Sequence, residues 1–149
     1  MKYNVEIIIN LPRKRVIELF DNIENMYKWQ PGLISFEHES GTPGEVGAKS
    51  RLQYKMGNRE IEMIETITVK NLPKEFSGTY EAKGVWNEVK NFFYELDENS
   101  TKWVSENEFR CSGFMKIFAF LMPGSFKKET AKYLDQFKEF AEDEGLGKD

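Results

Sequence analysis

Polar and apolar positions alternate along most of this chain, and the period of the alternation changes near both ends. Val5 to Ile9 are a short β-branched run that predicts a first strand. In "LPRKRVIELFD" the period lengthens: Val16, Leu19 and Phe20 share one helical face, and Pro12 suits the first helical position. "NIENMYKW" continues as a second short helix from about Asn22 to the turn "QPG". From there to about Arg110 the pattern is strand after strand.

In "AKSRLQYKM" Ala48, Ser50, Leu52, Tyr54 and Met56 face one way, and Lys49, Arg51, Gln53 and Lys55 the other. Gly57-Asn58 turns into "REIEMIETITV", where Ile61, Met63, Ile67 and Val69 point inward and carry Glu65 inward with them. "NLP" breaks that strand, "EFSGTYEA" makes another, and Lys83-Gly84 turns into "VWNEVKNFFYEL" with Val85, Asn87, Val89, Asn91 and Phe93 on one face. "DENS" leads into the last strand, "TKWVSENEFR", with Trp103, Ser105, Asn107 and Phe109 on one face.

The chain then returns to a helical period. Phe126, Thr130, Tyr133, Phe137 and Phe140 recur at alternating steps of four and three and line one face of a terminal helix whose other sides are charged. Before it, "FMKIFAFLM" is apolar almost all round: Phe114, Ile117, Phe118 and Leu121 form one stripe, and Met115, Ala119 and Met122 a neighbouring one. Pro123 crowds the carbonyl of Ala119, so a helix kinks or stops there, and Ser125 can cap the next one. The predicted order is one strand, two short helices, six more strands and a terminal helix. Such a run of antiparallel hairpins with helices at the ends is an α+β domain, a curved seven-stranded sheet around the long C-terminal helix.

At 149 residues the chain is expected to make one domain, residues 1–149, burying roughly 70% of the surface its unfolded form exposes. The net charge of −4, with no concentrated basic patch, argues against a nucleic-acid partner. A single cysteine, Cys111, fits a reducing cytoplasm, and no cysteine–histidine spacing suits a zinc site, so neither metal nor cofactor is expected. "MKYNVEIIIN" lacks the pattern of a secretory signal, and 114–122 falls far short of a membrane span. A soluble monomer or weak dimer is expected.

Few residues offer chemistry. "GTPGEVGAKS" resembles a phosphate-binding loop, but Ala48 stands where that loop needs glycine, and a strand comes next instead of a helix. His38, the only histidine, has Glu37 and Glu39 pointing to the opposite strand face and reads as structural or surface-exposed. Cys111 reads as a small buried hydrophobe. Glu60, Glu62, Glu106 and Glu108 pair with cations on a solvated surface. Glu65 differs, because inward placement of an unpaired carboxylate is costly; the alternatives are a rim position or a pair with Arg59. The asparagines among aromatics on the last two strands are either anchors in a pocket or partners of one another and of buried water.

The element order, with "VIELFDNIENMYKWQPGL" closed by Trp29, the turn "GTPGEVGAK" and the interruption "NLPKEF", resembles the START-like helix-grip superfamily. That superfamily is also called SRPBCC or polyketide cyclase/dehydrase-like and is related in fold to the birch pollen allergen. The resemblance implies a pocket for an apolar or amphipathic small molecule between sheet and terminal helix. The inward faces then become its walls: Trp29, Leu52 and Tyr54 on one side; Met63, Glu65 and Tyr80 in the middle; Asn87, Val89, Asn91 and Phe93 with Trp103 and Asn107 beyond. Phe114, Phe118, Leu121 and Met122 would lie at its mouth as a lid hinged at Pro123-Gly124. With no convincing catalytic set, the expected function is ligand binding or transport. Two alternatives stand beside it. One is a cyclase, dehydratase or hydrolase in which Glu65 is the acid or base and Tyr80 and Asn91 orient a carbonyl. The other is a protein-interaction module, like the relatives that stimulate chaperones or associate with ribosomes, docking through 114–122.

Overall fold

A computed structural model describes residues 1–147. The elements are β1 (Lys2–Ile9), α1 (Arg13–Phe20), α2 (Ile23–Trp29), β2 (Leu33–Ser40), β3 (Lys49–Met56), β4 (Arg59–Asn71), β5 (Glu75–Ala82), β6 (Val85–Asp97), β7 (Ser100–Cys111), α3 (Phe114–Leu121) and α4 (Gly124–Gly147). The seven strands form one antiparallel sheet in the order β1-β7-β6-β5-β4-β3-β2. Consecutive strands from β2 to β7 pair as hairpins, and β1 closes on β7, so its first residues lie beside the last strand. The architecture is the predicted α+β helix-grip fold. The 114–121 segment is a helix of its own, separated from α4 at Met122 and Pro123.

Local chemistry sets the helix ends. Pro12 stands just before α1 and not within it; its carbonyl accepts from the amides of Arg15 and Val16 at 3.0 Å each. Asn22 caps α2, its Oδ1 accepting from the Asn25 amide at 3.0 Å. α4 begins at Gly124, so Ser125 lies inside its first turn.

The concave side of the fold is filled by aromatic rings. Phe20 meets Phe93 at 5.0 Å, Trp103 at 5.4 Å and Phe137 at 5.7 Å between ring centres, each in an edge-on arrangement. Ile9, Leu11, Val16, Leu19, Trp29, Leu134 and Ala141 complete this buried cluster, so the α4 stripe read from the sequence widens to include Leu134 and Ala141. A second tie holds the helix to the sheet edge: Glu142 accepts from the Asn10 amide and from Lys138 Nζ, both at 2.7 Å.

Strand alternation holds through β3, β6 and β7, but β4 departs from it. A bulge falls between Ile67, opposite Gly78, and Val69, opposite Ser77. The extra residue, Thr68, reverses the facing of the residues after it, so Val69 is 36% exposed and not inward as its spacing suggested.

Candidate functional site

The bulge leaves Glu65 and Ile67 facing the interior, and the register pairs Glu65 with Tyr80 on one side and Ser50 on the other. The Tyr80 hydroxyl donates to Glu65 Oε2 at 2.8 Å. Glu65 is only 7% exposed. Burial holds its carboxyl above the ordinary carboxylate range, and the Tyr80 hydrogen bond pulls it part of the way back. Tyr80 is pushed well above a normal phenol, first by burial and then by the neighbouring Glu65 charge. The alternative of an Arg59 partner is set aside: among the described residues Glu65 takes part in no ion pair, and Arg59 is exposed at the start of β4.

These two residues form part of the wall of a cavity of about 130 Å³. α1 and α2 contribute Phe20, Met26 and Trp29, with Gln30 just past the end of α2; β2 and β3 contribute Phe36, His38 and Ser50; Ile67, Phe76 and Tyr133 close the rest. Asp21, Asn22, Ile23 and the Pro43-Gly44 loop form the rim, since these residues stand exposed. Among the described residues no lysine or arginine lines it.

A second polar chain runs beside the cavity. Tyr54 donates to Gln30 Oε1 at 2.7 Å, and Gln30 Nε2 donates to the Tyr133 hydroxyl at 3.0 Å. Burial raises both phenols, with nearby charge adding to it, so Tyr54, Tyr80 and Tyr133 stay neutral at any ordinary pH. Trp29 is 3% exposed, and its indole N–H has no acceptor among the described residues. A buried donor without an acceptor costs on the order of 1–3 kcal/mol, which an acceptor on a bound molecule would relieve.

Of the expected wall, the cavity therefore gathers Trp29, Glu65 and Tyr80. Leu52 is buried and Met63 half-buried outside the cavity, and Tyr54 reaches it only through Gln30. Phe93 and Trp103 are packed into the aromatic cluster. The asparagines bond within the protein. Trp103 Nε1 donates to Asn91 Oδ1 at 2.9 Å, Asn107 Nδ2 to Ser105 Oγ at 2.9 Å, and Asn87 Nδ2 to the Glu108 carbonyl at 3.1 Å. These partners are other protein groups, and neither the asparagines nor Val89 line the cavity.

Phe114, Phe118, Leu121 and Met122 also lie away from it. The α3 helix sits over the β5–β6 turn instead, with Met115 beside Gly84 and the Phe118 ring 6.0 Å from Phe126. Gly84 has a φ of +76°, and a side chain there would press on the Ser112 carbonyl and on Met115. His38 is exposed near the rim, donating from Nε2 to the Gly41 carbonyl at 2.8 Å. A wider depression of about 640 Å³ between α2 and α4, touched by Lys28, Gln136 and Glu139, is open to solvent and has no buried titratable group among the described residues. Among the described residues no cluster of histidine, cysteine and carboxylates is placed to hold a metal ion, and no helix is long and apolar enough to cross a membrane.

Sequence reasoning missed Phe20, Gln30, Ile67, Phe76 and Tyr133 as cavity residues. Phe20 and Tyr133 carried a signal, since both fall on the inward helical stripes; Gln30 carried none, because it sits in a turn.

The same architecture recurs in solved structures of distant sequence. The Zhui aromatase/cyclase from Streptomyces sp. R1128 superposes with a TM-score of 0.79 at 12% identity, over 99% of this chain and 96% of that one. Norcoclaurine synthase from Thalictrum flavum, in complex with dopamine and hydroxybenzaldehyde, gives 0.70 at 14%, over 94% and 85%. Ara h 8.0201 gives 0.71 at 14%, over 95% and 97%. No family model matches the chain, and no curated protein matches it in sequence. What these likenesses establish is the fold: the chain shares the α+β helix-grip fold of these proteins.

Proposed function

We propose that this chain, acting as one START-like domain, binds a small, largely apolar molecule carrying a polar group, in the cavity between α2, β4, β5 and α4. The observation that carries the reading is Glu65: a buried carboxyl held by one phenol, with no cation beside it among the described residues, in the wall of a cavity rich in aromatic rings. A core built only for stability gains nothing from such a group, whose burial is costly. A binding site uses it to orient a polar atom of the ligand. The volume of about 130 Å³ is on the scale of one aromatic ring, since an apolar cavity of roughly 150 Å³ takes up benzene. A longer amphipathic molecule would extend past Ile23 and Pro43 at the rim. The norcoclaurine synthase complex, with its two ring compounds, supports this size class by analogy of fold. The single cysteine accords with a cytoplasmic setting.

Titration with an anilinonaphthalene dye and with phenol, followed by the fluorescence of Trp29 and Trp103, tests the reading. Saturable binding that a bulky substitution at Ile23 weakens is the expected result. No saturable signal, together with no co-purified molecule in native mass spectrometry, overturns it.

The raised carboxyl of Glu65 favours one second reading, acid–base chemistry on a carbonyl compound. A protonated Glu65, steadied by Tyr80, would donate to a carbonyl oxygen and, once ionised, take a proton from the adjacent carbon. Deuterium exchange at the central carbon of acetylacetone, small enough for the cavity, reads this directly. The expected loss for Glu65→Gln is about 10²-fold or more, and an unchanged exchange rate would remove the reading.

A further inference from the structure

The α3 helix has an inner and an outer face. Met115, Phe118 and Ala119 face the fold, where Phe118 meets Phe126. Phe114, Ile117, Phe120 and Leu121 fall on the other side at helical steps of three and four, and Phe120 and Phe114 are 83% and 71% exposed. Met122 extends this surface to the Pro123-Gly124 break. Four large apolar side chains on the outer side of an eight-residue helix form a contiguous patch that water disfavours.

Charge along this segment has one sign. From Cys111 to Lys128 the chain has three lysines, Lys116, Lys127 and Lys128, all exposed, and no acid at all. The whole chain carries −4, and acids return in α4 from Glu129 onward. The segment from α3 into the first turn of α4 is therefore locally positive in a chain whose net charge is negative.

We propose that α3 and the first turn of α4 dock on an anionic lipid bilayer, the apolar face sinking into the headgroup boundary while the three lysines meet lipid phosphates. Lys116 sits within α3, where its long stem can lie along the apolar surface and lift its ammonium to the headgroups. A second copy of this chain fits less well, because a symmetric contact through α3 brings the same lysines together from both sides. A protein groove fits less well too. The outward face has no hydroxyl, amide or ring nitrogen with which to fix one partner's register, and a bilayer requires none. The inference stands apart from the ligand cavity, to which α3 contributes no residue.

Vesicle co-sedimentation of the full chain tests it, with vesicles of phosphatidylcholine alone and of phosphatidylcholine mixed with phosphatidylglycerol. Binding on the order of 100-fold tighter to the anionic vesicles is expected from three lysines near such a surface, and it falls as salt rises. Phe120→Asp abolishes pelleting with both vesicle types, and Lys127→Glu with Lys128→Glu removes only the anionic preference. Both sites are exposed, so unchanged thermal unfolding confirms that the variants fold. In a Phe120→Trp variant, a blue shift of the new indole on adding anionic vesicles reports its entry into the lipid. Pelleting that Phe120→Asp leaves intact overturns the proposal. So does a stable dimer in sedimentation velocity that Phe120→Asp splits, which gives the face to a second copy. A monomer indifferent to both vesicle types gives it to an acidic protein and overturns the proposal as well.

Discussion

The Tyr80 hydroxyl lies 2.8 Å from Glu65 Oε2, directly across the β4–β5 pair, and it is the one side-chain donor that the buried carboxyl has among the described residues. Register sets up this contact: the two residues are opposite partners, so their side chains leave neighbouring strands side by side on the same face. Tyr80→Phe keeps the ring and removes the donor. Glu65 then becomes harder to ionise, since the phenol is what offsets part of its burial. The expected cost is about 1–3 kcal/mol in urea unfolding at neutral pH, with an upward shift in the titration of the Glu65 carboxyl carbon followed by NMR. A variant as stable as the parent, with an unmoved titration, contradicts the role given to Tyr80.

Glu65 also links stability to pH. Its folded pKa is raised, so between the unfolded value of about 4.3 and the folded one the native state holds a proton that the unfolded chain has lost. Stability from this group is therefore full below the unfolded pKa and declines as pH rises, until the folded pKa is passed. Glu65→Gln cannot titrate and lacks that slope. Urea unfolding of both proteins across the acidic to mildly alkaline range should show the variant gaining on the parent as pH increases. A stability difference that is flat with pH, or that runs the other way, rules out a raised carboxyl.

The aromatic cluster is the mechanical support of the cavity. Phe137 is fully buried and meets Phe20, Trp29 and Trp103 edge-on, at 5.7, 5.0 and 5.4 Å between ring centres. Phe137→Ala is expected to cost about 3–5 kcal/mol, the usual range for emptying a ring-sized space in a core. Because two of its neighbours, Phe20 and Trp29, also line the cavity, binding of the anilinonaphthalene dye should weaken in the same variant at temperatures where it remains folded. Loss of stability below about 1 kcal/mol would show that the rings close over the gap.

Much of this arrangement is legible in the sequence, and particular residues show where legibility ends. The two-residue period of β3, β6 and β7 places Ser50, Leu52, Asn91 and Trp103 inward as they are found, and it turns Glu65 inward too. The same counting fails at Val69, because a bulge inserts Thr68 and a period has no means of marking an inserted residue. Asn87, Asn91 and Asn107 face inward as read, yet their amides are taken up by neighbouring groups. Which hydrogen bonds a buried amide makes depends on tertiary distances that spacing does not encode. Gln30, Phe20 and Tyr133 come from three separate segments and meet at the cavity only through the packing of α1, α2 and α4 against the sheet. The all-round apolar character of 114–121 is plain from the sequence; the surface it lies on is not, and the structure puts it over the β5–β6 turn and away from the cavity.

That placement changes what the Pro123-Gly124 break is expected to do. Were α3 a lid, stiffening the joint would slow ligand entry and exit together. With no residue of 114–122 in the cavity wall, ligand exchange should not depend on the joint. Gly124→Ala is a clean probe, because the glycine opens α4 without a positive φ and an added Cβ meets nothing within 4 Å. Alanine there restricts the unfolded chain more than glycine does, so the variant should be more stable by about 0.4–1 kcal/mol. Stopped-flow mixing with the anilinonaphthalene dye, followed through tryptophan fluorescence, should give association and dissociation rates equal to those of the parent. Rates slowed together in Gly124→Ala would restore the lid, and would mean that α3 leaves its seat on Phe126 to reach the ligand.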